Sequence, residues 1–554
     1  MKKVFYLIAI LIGMSACSTD LADIEDRIKK VENQSNDLSN KSKELAEEGE
    51  KLAKEGEDLK AENEKLKDDL EKLKDSLNII EPKLLFMEFL SSDNPLQLVE
   101  NVKCEIVGDS VVQALIQNEV SNKKLIPRFK FDGAEVTIGG VKAESGVTQI
   151  DFSKPLVLTV LTPQKKKDYR VYVNSSTGLA TLWLETLGRA NIQTSGEYLT
   201  ANVKLVENAI TRAPGDVVQA TGYVMGVGTI NTYWSEGRVM MGKNEYILRF
   251  NNALSFFSEP KGKGWGLIAN LSDNTMLRNQ TGYYMGKISK LDYTPRYHYV
   301  DLMLNGIYYG TYMLGDRLEI SEGRVNVGKD GYLLSVGTPS GQTSFKTNKL
   351  EMPVTIFAPS SLSTDSYNYV YGYVTAAENA LYASNFKDPS SGWQKYLDID
   401  SFVDWYLINE IAKNDKSAFK SNCMMNLKKD GKLKMGPLWD FETAFNVKYP
   451  STGFVVKNSS WYSRLFEDPA FVSKVKERFN FFYSHKSDII SDMNSNAQYL
   501  KYSIQENNNK WKVFSATSTS TPNTWTVYQN SVLSLETWLN TRIEWLKGQF
   551  DKMA

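Results

Sequence analysis

Apolar positions along the chain fall into three textures. From Leu21 to Ile80, one position of a seven-residue repeat holds Ile24, Val31, Leu38, Leu45, Leu52, Leu59, Leu66, Leu73 and Ile80 without a break, in a background rich in Glu, Lys, Asp and Asn. Seven-residue apolar spacing is the period of a left-handed coiled coil. The companion seam is poorer: Leu21, Ile28, Ser35, Ser42, Gly49, Gly56, Asn63, Leu70 and Leu77. Its two glycines weaken the helix centre. Residues 17–81 therefore read as a long, loosely held coiled-coil stalk, roughly 90 Å if helical throughout at 1.5 Å per residue. The other reading of the same stretch is a charged, partly disordered linker.

Beyond Pro82 the pattern changes to short apolar or alternating runs, "KLLFMEFL", "VVQALIQ", "LIPRFKF", "EVTIGG", "PLVLTVLTP" and "DYRVYV", separated by Gly, Asn, Asp and Lys clusters. Such spacing predicts a small all-β sandwich over residues 82–174. From 175 onward strands come mostly first and helices mostly later, which predicts an α+β domain of two lobes. Strand candidates include "EYILRF", "KLEMPVTIFAP" and "RYHYVDLMLNGIYYGTYML", the last with Asn305-Gly306 as a tight-turn dipeptide. Helices are expected after Asp400, which can cap the first of them, and in three segments after Pro469.

The first sixteen residues carry Lys2-Lys3, an apolar run from Val4 to Met14, and Ser15-Ala16 before Cys17. This reads as a secretory signal with a lipobox, so Cys17 is the expected lipidation site; a plain cleaved signal is the alternative. Only Cys104 and Cys423 remain, in regions assigned to different domains, so a disulfide framework is not expected. A formal charge of -1 gives no global attraction to nucleic acid. With His298 and His485 as the two histidines, nothing stands at the spacing of a His-rich zinc site or a Ser-His-Asp triad.

The stretch "NDKSAFKSNCMMNLKKDGKLKMGPLWDFETAF", Asn414 to Phe445, places Asp415, Asn422 and Asp440 around a short β-hairpin whose turn falls at Lys428-Lys429-Asp430-Gly431. Phosphoryl transfer needs a carboxylate to orient the acceptor hydroxyl and oxygen ligands to hold Mg²⁺ against the phosphates. The spacing supplies one such base and two such ligands. It equally suits a helix end, a loop amide and a surface carboxylate, because Asp and Asn are common in turns. Glu and Asp pairs of the glycosidase type also exist, but spacing alone places none of them.

Several stretches in order resemble the CotH kinase family over roughly Leu199 to Phe482: "KGWGLIANLSDNTMLRN", "HYVDLMLNGIYYGTYMLGDRLEI", "GRVNVGKDGYLL", the segment from "FVDWYLINEIAKNDK" to "LWDFETAF", and "SSWYSRLFEDPAFVSKVKERF". The resemblance implies an atypical protein-kinase-like fold that uses ATP and Mg²⁺ to phosphorylate Ser or Thr hydroxyls. It puts the catalytic aspartate at Asp415, a metal-side amide at Asn422 and the metal-binding aspartate at Asp440, with Glu442 where relatives carry a second Asp. The family's arginine-rich loop is degenerate here, with Met225 and Val227 in place of the arginines and Thr229 in place of Asn. Lys243 and Arg249 are then the expected phosphate contacts. "FDGAEVTIGGVKAESGVTQIDFSKPLVLTV" is similar to small Ig-like domains of Bacteroidetes surface lipoproteins.

Together these readings imply a multidomain lipoprotein: signal peptide 1–16, stalk 17–81, Ig-like sandwich 82–174 and kinase-like domain 175–554. The implied function is transfer of the ATP γ-phosphate to exported proteins, or, given the degenerate loop, a pseudokinase acting as a binding protein. The expected setting is the outer membrane or cell surface, reached through the lipid on Cys17. The expected partners are an exported substrate or a partner lipoprotein, and a second copy through the coiled coil.

Overall fold

The computed structural model describes residues 21–76, 80–117, 120, 122–192, 196–207, 217–227, 232–235, 238–337, 343–421, 423–514 and 523–553. They form two compact units. The first holds the 56-residue helix Leu21–Ser76 together with the segments Phe131–Glu135 and Val160–Lys167. No described helix is long and apolar enough to cross a membrane.

The second unit holds Leu84–Lys130, Val136–Thr159 and Asp168–Ala554. Its N-terminal part is all-β. There, strand Val111–Gln117 runs parallel to Arg170–Ser176, and both bury residues such as Val112, Ile116 and Val171. Next comes a seven-stranded closed barrel, in spatial order Ala180–Thr186, Leu199–Val206, Val217–Val227, Glu245–Leu254, Gly262–Ile268, Ile307–Asp316 and Tyr297–Leu304. Closure is made by parallel pairing of Ala180–Leu184 with Val300–Leu304. Leu182, Val203, Leu248, Leu267, Leu302 and Leu314 fill the interior.

The Tyr297–Leu304 and Ile307–Asp316 strands are joined through Asn305 and Gly306, at φ 51° and 86°. Left-handed dihedrals at both turn residues match the twist of a hairpin, and Asn-Gly is the pair that tolerates them.

The C-terminal part sets a five-stranded sheet, ordered Ser344–Lys346, Pro353–Ala358, Tyr332–Val336, Cys423–Leu427 and Leu433–Met435, against a helical layer. Helix Ile399–Ile411 lies at its centre, with every residue from Ser401 to Ile411 buried. Asp398 caps that helix, its side chain accepting from Ser401 N. Asp400, the expected cap, sits in the first turn and pairs with Lys290 at 3.2 Å. Either acid suits a helix start, and the ladder sets the register: Asp398 N donates to Leu433 O on the edge strand. After Pro469 four helices follow, Pro469–Ser484, Lys486–Tyr499, Lys501–Trp511 and Thr524–Asp551.

Two buried ion pairs fasten the helical layer. Arg478 forks onto Asp404 with two bonds of 2.7 Å, and Arg542 meets Glu410 at 2.8 Å. Glu410 also accepts from the backbone N–H groups of Val455, Val456 and Lys457. Fixed donors on every side are what make a buried charge tolerable.

Candidate active site

The buried helix Ile399–Ile411 delivers the chain to Asn414, which is fully buried. Its amide donates to Asp440 O at 3.0 Å and to Asn409 Oδ1 at 3.2 Å, tying the helix end to the loop after the hairpin. Asp415 opens a single 3₁₀ turn, Asp415–Ser417. Its carboxylate is exposed and stands 3.7 Å from Lys420. The neighbouring Lys416 turns the other way, and its Nζ donates to Asp440 Oδ2 at 2.9 Å.

Asp440 has φ 50°, a left-handed dihedral that Asp accepts more readily than most residues. Its Oδ1 accepts from Glu442 N at 3.0 Å and so closes a tight turn around Phe441. Phe441 is fully buried, and its N–H donates to Asn279 Oδ1 at 2.7 Å. A Cβ on Gly282 would stand 2.5 Å from the Phe441 ring, so helix Arg278–Lys287 approaches this closely only because residue 282 is glycine. Glu442 accepts from Ser272 N at 2.5 Å through Oε1, and its carbonyl accepts from Arg278 Nη1 at 3.1 Å. The backbone of the Asp440 turn is thus tied to buried Asn279, Arg278 and Asn414.

Asp440 and Glu442 line a cleft of about 560 Å³, its mouth included, shared with Glu245, Arg317, Trp439 and Asn279. The cavity proper, without its open mouth, is about 120 Å³, smaller than the roughly 300–1,000 Å³ of small-molecule sites. Three carboxylates, Glu245, Asp440 and Glu442, face one cleft. Glu245 is pushed up to about 7, first by burial and then by the charges of Glu442 and Asp440, against the pull of the Ala269 backbone and Arg317. Glu442 is raised as well, by burial and by Asp440 and Asp273, with the Ser272 N–H and Lys416 opposing. Burial disfavours the charge on Lys416, but its bond to Asp440 outweighs that and its pKa rises.

The expected site residues are thus distributed unevenly. Asp440 and Glu442 share the cleft. Asp415 lies outside its lining, linked through the adjacent Lys416. Asn422, Cys17 and Thr229 lie outside the described residues. Val227 also lines the cleft.

Lys243 is placed differently from the open phosphate contact expected. It is 1% exposed, its Nζ donates to Ala269 O at 2.8 Å and to Thr311 O, and it stands 4.4 Å from the Tyr312 ring centroid. Burial lowers its pKa to about 7, although Glu442, Asp301 and Glu245 favour its charge. Two of its three N–H groups are therefore spent on carbonyls behind the cleft. Arg249 is exposed, its guanidinium 5.4 Å from the Tyr198 ring centroid, and does not line the cleft.

Sequence reasoning passed over Glu245, Arg317 and Lys416. Glu245 follows Lys243 by two residues on an alternating strand, and Arg317 follows the hairpin in "MLGDRLEI"; both were visible as charges at strand ends.

A chelating donor set is incomplete on its own: among the described residues, no group of three or more His, Cys, Asp or Glu is arranged to hold a metal ion. The donor chemistry nevertheless suits Mg²⁺, which takes one or two carboxylates and completes its shell with phosphate oxygens and water. Asp440 and Glu442 supply two, in a cleft where their mutual repulsion favours a cation.

Fold and site define a mixed α+β multidomain protein with an acidic cleft walled by a strand of its barrel. The family model for CotH kinase protein matches residues 241–546, more than half of the chain. The chain belongs to the CotH kinase family. Comparison with curated proteins gives no match. Among solved structures, one described as a "putative glycoside hydrolase" from Bacteroides thetaiotaomicron VPI-5482 aligns at 15% identity over 52% of this chain and 86% of that one. Its TM-score is 0.17, too low for the likeness to bear on fold or activity.

Proposed function

We propose that the chain is an envelope lipoprotein whose kinase-like domain binds ATP with Mg²⁺ in the acidic cleft and transfers the γ-phosphate to Ser or Thr hydroxyls of exported proteins. The observation that carries this reading is the convergence of Asp440 and Glu442 on one partly enclosed cleft. Asp440 and Glu442 would hold the cation, and bound Mg²⁺ supplies charge neutralisation for the triphosphate. Arg317 is the cleft's guanidinium for a phosphate oxygen. Asp415, on its exposed turn, takes the proton of the acceptor hydroxyl as the new O–P bond forms, while the bond to the β-phosphate oxygen breaks and ADP leaves.

The remaining expectations are proposals of the same standing. The lipid on Cys17 anchors the chain to the outer membrane or cell surface, the heptad helix spaces the folded part from it, and the strands of residues 82–174 form an Ig-like module. The experiment is incubation of the full chain with γ-labelled ATP, Mg²⁺ and a casein-type acceptor. Transfer that disappears in Asp440→Ala and Asp415→Asn supports the reading, and absence of both transfer and nucleotide binding overturns it.

A second reading, a pseudokinase that binds a partner without transfer, is favoured by the engagement of Lys243 with carbonyls and of Lys416 with Asp440. A charge-assisted contact is worth on the order of 1.5–3 kcal/mol, so loss of two loop arginines weakens nucleotide binding by about a hundredfold or more. This reading predicts Mg²⁺-independent or absent ATP binding and no transfer.

A further inference from the structure

Along the helix Leu21–Ser76, Val31, Leu38, Leu45, Leu52, Leu59 and Leu66 are 64%, 67%, 69%, 62%, 60% and 61% exposed. Six large apolar side chains at strict seven-residue spacing form a continuous stripe that is wet in the single chain. We propose that a second copy of this chain covers it, in a parallel, in-register, two-stranded coiled coil. The inference is independent of any reading of the cleft.

The charges beside the stripe suit a second copy of the same helix. In a parallel in-register pair, the residue just before the weaker seam faces the residue just after the leucine seam, five positions further along the other chain. Arg27 then meets the partner's Glu32, Glu55 the partner's Lys60, and Glu62 the partner's Lys67. Gln34, Lys41 and Glu48 meet the partner's Ser39, Ala46 and Ala53. Three positions attract and none sets like charges together.

Asn63 selects the orientation. It occupies the weaker seam, where in this arrangement it faces its own copy, and a single Asn pair at such a position favours two parallel strands in fixed register. A fully overlapping antiparallel pair also brings Arg27 to Asp69, Lys41 to Glu55 and Glu32 to Lys60, but it sets Glu48 against its own copy and Asn63 against the apolar Val31, so the orientation rests on Asn63. Gly49 and Gly56 thin the middle of the seam, so the charged pairs around residues 55–67 matter more for register than they would beside a full apolar core.

The test uses the full chain. Sedimentation is expected to give twice the 62.6 kDa of one chain. Asn63→Cys is expected to form a covalent dimer on mild oxidation, well above the background from the natural cysteines of the parent. Glu55→Lys/Glu62→Lys and Lys60→Glu/Lys67→Glu are each expected to weaken association at least tenfold while far-ultraviolet circular dichroism stays helical. Mixing the two variants restores a dimer that contains one of each. A monomer or trimer mass, absence of the Asn63→Cys cross-link, or failure of the mixture to recover each overturns the proposal.

Discussion

Asp301 offers a quantitative test of how the barrel is held to the helical layer. It lies in strand Tyr297–Leu304, 1% exposed, and accepts from Thr177 Oγ1 at 2.6 Å. Thr311, 3.5 Å away through Oγ1, is also bonded to Asn507 and Ser503 of helix Lys501–Trp511. Burial raises the Asp301 pKa from 3.8 to about 7; the Thr177 hydroxyl opposes the rise and Glu506 adds to it. Because the folded value is the higher, the folded state binds the proton more tightly. Stability from this group is full below pH 3.8 and is lost as pH climbs to about 7. At 1.36 kcal/mol per pH unit, that interval amounts to on the order of 4 kcal/mol. Asp301→Asn keeps an acceptor for Thr177 and removes the charge. Thermal unfolding followed by tryptophan fluorescence is expected to show the variant close to the parent at pH 4. At pH 8 it should be more stable, with about 2–4 °C in Tm for each kcal/mol. An equal difference at both pH values, or a less stable variant at pH 8, refutes the argument that a desolvated carboxylate is carried at neutral pH.

Glu410→Ala leaves Arg542 charged and buried and frees three backbone N–H groups, so it should destabilise by about 3–5 kcal/mol in urea titration. Gly282→Ala drives a methyl group into Phe441 and should cost about 1–3 kcal/mol while also weakening nucleotide binding, since the Asp440 turn must shift. Lys416→Ala removes the 2.9 Å bond to Asp440. It should tighten Mg²⁺ binding measured by calorimetry, because the cation no longer displaces an ammonium. Glu442→Asp shortens the second carboxylate and loses the reach to Ser272 N, which should lower the Glu442-dependent share of Mg²⁺ affinity and leave the fold intact by circular dichroism.

The parts legible in the sequence are those governed by local chemistry. Asn305-Gly306 names its own turn because few residue pairs accept two left-handed dihedrals in succession. The helix Leu21–Ser76 is written in its leucine spacing. The barrel was not legible. Its closure pairs Ala180–Leu184 with Val300–Leu304, strands that no local pattern connects. Lys243 is hidden for the same reason: a lysine two residues before a strand reads as a surface charge until the carbonyls of Ala269 and Thr311, brought in from elsewhere in the barrel, are placed around it. Glu245 was missed because its company, Asp440 and Glu442, comes from nearly two hundred residues further along the chain.

The central claim is that Asp440 and Glu442 make the cleft a seat for a metal-bound nucleotide. Calorimetric titration of the full chain with ATP, in the presence and absence of Mg²⁺, addresses it directly, with Asp440→Ala beside the parent. The account predicts Mg²⁺-dependent binding in the parent and its loss by at least tenfold in Asp440→Ala. Binding that ignores Mg²⁺, or that survives the substitution unchanged, contradicts it.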